Sequence, residues 1–170
     1  MSLNKLKNLK EDDLERFTLE GLEVKAKVLS VHDGDTLDLA FYRNEELVRF
    51  NCRLEDINSP EIHEPTGKLV RDFLAWICMG HDPGQFDVTA KIWSKQELQH
   101  ELNKSKNLVF AVFGDLNDEK YGRSPVTLEN ARTGESINKM VQDFAHNLHA
   151  LEMAYEMQMM VALYNEYIYI

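Results

Sequence analysis

Cysteine is scarce in this chain: Cys52 and Cys78 are the only two. They have neither metal-ligand spacing nor the density of a disulfide-stapled domain, so two reduced, buried thiols are expected. No apolar run approaches the roughly 20 residues that span a bilayer. The first residues carry charge where a secretory signal would carry an apolar core. The expectation is a protein with no membrane partner and an intracellular, cytoplasmic location. Positive charge is also in short supply, with 19 Lys and Arg against 29 Asp and Glu and a net charge of -10. That balance argues against non-specific coating of nucleic acid, which needs many cations to neutralise phosphates. It leaves room for an enzyme that touches a few phosphates through a bound cation and local arginines.

What is present is the make-up of one globular domain: 170 residues, 44% hydrophobic and 28% charged. Such a length can bury a sizeable core. Residues 1–21 read as a polar, partly helical arm. Val24, Ala26 and Val28 then alternate with charged residues, as in a half-buried strand, and a phase change at Val28-Leu29 has the mark of a bulge. A second strand carries Leu37, Leu39 and Phe41 on one face, with a polar tip at residues 43–46. A third returns through Val48, Phe50, Cys52 and Leu54, which sets Arg49, Asn51 and Arg53 on the other face. Three strands joined by short turns make a meander, one half of many small barrels.

Beyond the meander, Leu69, Val70, Phe73, Trp76 and Ile77 recur at helical spacing after a Pro65-Thr66 start signal. Phe86, Val88, Ala90 and Ile92 alternate with polar residues and read as another half-buried strand, and 108–113 is a second apolar run. Either could be the fourth strand of a barrel. Residues 96–104 read as a polar helix, about 126–129 as a strand, and a helix starts near Ser136. A Met-rich helical stretch covers about 146–164, and Tyr167-Ile168-Tyr169-Ile170 could add a strand or simply end the chain.

Three polar segments could carry chemistry together. They are Val31-His32-Asp33-Gly34-Asp35-Thr36, then Arg53-Leu54-Glu55-Asp56-Ile57-Asn58-Ser59-Pro60-Glu61, and finally Asp118-Glu119-Lys120-Tyr121-Gly122-Arg123. Singly each is weak, since Asp-Gly-Asp is an ordinary tight turn. Jointly they supply oxygen ligands for a hard cation, a carboxylate for water and two planar guanidinium forks for a phosphate.

In that order and spacing the three segments resemble the thermonuclease-like family, that of staphylococcal nuclease. Its pattern is an Asp-Gly-Asp-Thr turn, an Arg-Leu pair followed by Asp-Thr-Pro-Glu, and Tyr-Gly-Arg. The resemblance covers roughly 22–148, with an apparent insertion at about 81–106, and leaves 149–170 as a C-terminal helix and tail. It implies an α+β domain of OB-fold type, a five-stranded barrel with packed helices. It also implies a calcium-dependent nuclease that hydrolyses DNA or RNA with an activated water and leaves 3′-phosphates. Asp35 would then be the main calcium ligand. Asn58 stands where the family has a second metal-binding Asp, and Ser59 where its Thr offers a carbonyl. Glu61 would orient or deprotonate the attacking water, Arg53 and Arg123 would clamp the phosphate, and Lys120 and Tyr121 would contact a terminal phosphate.

A second function stays open on the same barrel: a catalytically weak or inactive module that binds nucleic acid or protein. Outside the three segments, His146 and His149 lie about one turn apart and read as a solvated helix face. Met153, Met157, Met159 and Met160 read as core or partner-facing filler that could serve self-association through the C-terminal helix.

Overall fold

The computed structural model describes residues 2–15, 17–115 and 123–168. The meander forms as its alternation requires. β1 (Glu23–Val31), β2 (Thr36–Arg43) and β3 (Glu46–Leu54) pair antiparallel in chain order. Leu37, Leu39, Phe41, Cys52 and Leu54 point into the core. The β2–β3 link is a two-residue turn with Asn44 and Glu45 both at positive φ, 48° and 68°. That is the mirror-image turn whose twist matches the strands it joins.

β4 (Val109–Phe113) pairs antiparallel with β1 and with β5 (Ser124–Asn130), and β5 runs parallel to β3. The sheet therefore closes as a barrel in the order β1-β2-β3-β5-β4, an α+β architecture consistent with an OB-fold. Of the two candidates for the fourth strand, the run ending at Phe113 takes the place.

Residues 86–92 are not a strand, contrary to their alternation. A one-turn helix, Pro83–Gln85, precedes them. The Asp87 carboxylate then accepts from both the amide and the hydroxyl of Thr89, which bends the chain into a local turn. Val88 is exposed, and Phe86 alone is held, edge-on to Phe73, Trp76 and Phe144. One anchoring ring and an Asp turn produced the period of two.

The β1 register shifts between Val28 and Ser30, where the alternation changed phase. Leu29 has no partner in that ladder, and Gln99 on α3 (Lys95–Lys104) donates to its carbonyl at 2.8 Å. Leu98 and Leu102 of α3 are buried beside it, and a Ser94/Glu97 capping box starts the helix. α2 (Pro65–Cys78) lays Val70, Phe73, Leu74 and Ile77 into the core.

α4 (Ile137–Ile168) is one continuous helix of 32 residues where the sequence suggested two stretches. Ile137, Val141 and Ala145 are buried, and Phe144 stacks on Phe73 at 4.0 Å. Asn138 accepts from the Leu128 amide and donates to the carbonyls of Glu55 and Val126, pinning α4 across β5 and the end of β3. From Leu151 onward the large apolar side chains are exposed, so the methionines are not core. The helix runs through Ile168, so Tyr167 and Ile168 add no strand; the last two residues lie outside the described ones.

The arm begins with a short helix, α1 (Leu3–Lys7), and ends with Phe17 stacked on Phe50 beneath the Arg43 guanidinium. Cys52 and Cys78 are buried free thiols, and burial pushes both up to about 12. Among the described residues, no helix is long and apolar enough to cross a membrane.

Candidate active site

The site starts where β1 hands over to β2. The Asp33 carboxylate accepts from the Asp35 amide at 3.0 Å, and the amides of His32 and Asp33 donate to the Thr36 carbonyl. Gly34 sits at the tip because nothing larger fits. A Cβ there would come within 2.5 Å of Val70 Cγ1 and 2.8 Å of Ser59 Cβ. The turn is thus packed directly on the segment that follows β3.

Asp35 is 9% exposed. Its carbonyl accepts from the Leu54 amide at 2.7 Å, which ties the turn to the end of β3. Arg53 lies opposite Thr36 in the β2–β3 register, on the outward face that its place in the alternation requires. Its Nη2 stands 3.5 Å from Asp35 Oδ2. Thr36 Oγ1 donates to Asp35 Oδ1 at 2.9 Å and accepts from Arg123 Nη1 at 3.1 Å. Arg123, just before β5, therefore reaches Asp35 through one hydroxyl, while Arg53 reaches it directly. The Asp-Gly-Asp-Thr motif contained Thr36, but a linking role for its hydroxyl depends on β3 and β5 meeting and could not be read from the motif.

Burial, with the Asp33 carboxylate beside it, pushes Asp35 up to about 6 despite Thr36 and Arg53. A carboxylate in that state gains from added positive charge. Ser59 is close through Gly34, and Asn58 precedes it after a turn in which Asp56 adopts φ 58°. Among the described residues, no group of three or more His, Cys, Asp or Glu is placed to hold a metal ion. A cation here would rest on Asp35 with neutral oxygens. That donor chemistry fits a hard, oxygen-preferring ion such as calcium, with few charged ligands.

The remaining expected residues are placed less tightly. The Glu61 carbonyl packs on Gly67 in the first turn of α2, where a Cβ would overlap it. The Glu61 side chain is exposed and makes no hydrogen bond or ion pair among the described residues. Asn58 is exposed as well. Lys120 and Tyr121 lie outside the described residues.

Asn58 and Ser59 open into a cleft of about 440 Å³ whose opposite wall is α4, with His146 and His149 facing Glu64 across it. The two histidines are exposed, as a solvated helix face requires, and they also line this cleft beside the site. Sequence spacing gave no sign of this, because the walls are some eighty residues apart in the chain. Next to the site, Asp38 lies among His32, Arg49 and Asn51, accepting from Arg49 Nη2 at 2.6 Å and Asn51 Nδ2 at 2.8 Å. Burial opposes the Asp38 charge, but these hydrogen bonds outweigh it and hold the carboxyl at about 2.

No family model and no curated protein matches this chain.

Proposed function

We propose that this chain is a thermonuclease-like phosphodiesterase, a calcium-dependent nuclease acting on DNA or RNA. The observation that carries the reading is the meeting of Arg53 and Arg123 at one buried carboxylate, Asp35, directly and through Thr36. Two guanidinium groups at a mostly acidic surface are suited to a phosphate, because arginine stays charged and donates bidentately. Asp35, with oxygens of Asn58 and Ser59, would hold calcium, which supplies positive charge that the phosphate and Asp35 both need.

In this reading the guanidinium groups of Arg53 and Arg123 bind the non-bridging oxygens and stabilise the charge that grows on them. Glu61, exposed and without a side-chain partner among the described residues, accepts the proton of the attacking water. The water oxygen joins phosphorus, the bond to the 5′ oxygen breaks, that oxygen takes a proton from solvent to leave as a 5′-hydroxyl, and a 3′-phosphate remains. Lys120 and Tyr121 would hold a terminal phosphate. The staphylococcal-nuclease form of the barrel belongs to the same proposal, supported by the first two segments lying at the ends of β1 and β3 and by Arg123 at the entry to β5.

The test is cleavage of denatured DNA by purified protein with calcium and with chelator. The proposal expects calcium-dependent cleavage with 3′-phosphate ends. Binding of DNA without any calcium-dependent cleavage would leave a binding module on the same barrel.

A further inference from the structure

A second groove adjoins the proposed site and has the opposite electrostatic character from the rest of the chain. One part, about 460 Å³, is lined by His32, His63, Lys68, Arg71 and Lys95, among others. The other, about 380 Å³, shares Ile62, Lys68, Arg71 and Lys95 with it and adds Lys91 and Trp93. No Asp or Glu lines either part among the described residues, although the chain has 29 acidic residues against 19 basic.

Three of these six groups have carboxylate partners, with His32 on Asp38 among them. Arg71 is the structural one: buried, it donates to the Asp72 carboxylate and the Trp93 carbonyl, while Asp72 accepts from the Trp93 amide. That clamp fixes the groove wall. Lys91 reaches Glu97 at 3.3 Å on the surface. The side chains of Lys68, Lys95 and His63 make no ion pair or hydrogen bond among the described residues. Lys68 and Lys95 also sit in the first turns of α2 and α3, where the helix dipole disfavours positive charge.

The groove is lined in part by residues that flank the site in the chain. His32 immediately precedes the Asp33–Asp35 turn, and Ile62 and His63 immediately follow Glu61. Its far part comes from the segment that reads as an insertion, and there Trp93 offers a half-buried indole beside Lys91 and Lys95. Cations that follow a backbone and an aromatic face on which a base can stack are the two features of single-strand recognition.

We propose that this groove is the track along which a single-stranded nucleic acid leaves the Asp35–Arg53 site, with Lys68 and Lys95 on its phosphates and Trp93 against a base. The proposal rests on the nuclease reading for its direction and on the groove's own residues for its chemistry.

The experiment measures binding of a fluorescein-labelled twelve-residue oligothymidylate to the full chain by anisotropy, in chelator, across a series of salt concentrations. Lys68→Ala/Lys95→Ala should weaken binding about tenfold at low salt. It should also lower the slope of log affinity against log salt by about 1.4, since each single-strand phosphate contact contributes about 0.7. A twelve-base-pair duplex should bind more weakly than the single strand. An unchanged affinity and slope in the double variant overturns the proposal. So does equal or tighter duplex binding, or equal competition by polyglutamate. Turnover of bis(p-nitrophenyl) phosphate with calcium by the unaltered protein is measured separately. No turnover beside lysine-dependent oligonucleotide binding counts against the nuclease reading and leaves the groove standing.

Discussion

Arg53 Nη2 lies 3.5 Å from Asp35 Oδ2, across the last rung of the β2–β3 ladder. The pair is partly open, with 41% of the Arg53 side chain exposed, so it adds little to folding. Its position matters more to chemistry than to stability. Arg53→Ala should lower kcat/KM for an oligonucleotide about 10²–10³-fold, the ~3–4 kcal/mol typical of losing one oxyanion-stabilising donor. The melting temperature should barely move. Full activity in the variant, measured beside the unaltered protein, would remove Arg53 from the site.

Asn58 offers an amide oxygen where a carboxylate would add charge. Asn58→Asp should tighten calcium binding, by about tenfold, because affinity rises with ligand charge. Titration calorimetry checks it. Unchanged or weaker binding would mean that Asn58 does not face the cation.

Acid should protonate Asp38 late. Its folded carboxyl sits at about 2, below the ordinary 3.8. The stability it contributes is therefore complete above about pH 4 and is lost as pH falls from there through about 2. The contribution is on the order of 1–2 kcal/mol, allowing for the exposure of Arg49 and His32. Urea unfolding between pH 5 and pH 2 should show this loss in the unaltered protein. Asp38→Asn, which has no proton to gain, should lack that part of the slope.

Asn138 satisfies one amide and two carbonyls from a site that is 7% exposed. Asn138→Ala removes these three hydrogen bonds, although the Val126 carbonyl keeps the Glu55 amide, and should cost about 2–3 kcal/mol, or roughly 5–10 °C in Tm for a chain of this size. Calorimetry decides. A shift under 2 °C would show that water replaces the amide.

Along α4, Tyr155, Met157, Met160 and Leu163 are between 61% and 69% exposed. An apolar helix so bare is expected to bury itself against a second copy of the chain. Sedimentation should show a dimer or larger species, and Met157→Glu/Leu163→Glu should give a monomer. A monomeric unaltered protein at tens of micromolar would count against this contact.

The barrel was readable where burial on one face imposes a period of two. Leu37, Leu39, Phe41, Cys52 and Leu54 show that period and lie in the core, and the phase change at Val28-Leu29 is a real irregularity of β1. The same rule misled at 86–92, because a local Asp turn and a single buried ring mimic alternation without a ladder. Asn138 and the Arg71–Asp72–Trp93 clamp left no trace in the sequence. Their partners lie elsewhere in the chain, and only closure of the barrel and docking of the helices bring them together. The motif residues Asp35, Arg53 and Arg123 do converge, yet Thr36, which links them, was only a letter in the motif.

The Gln99 side chain fills the irregularity of β1 by taking the Leu29 carbonyl. Anyone trimming this protein to a minimal barrel by excising 81–106 would uncork that wall, leaving a bare acceptor and the apolar bed beneath Leu98 and Leu102. The segment is a stopper and not a decoration, so a shortened version would need a new plug at Leu29 before it could be expected to stay closed.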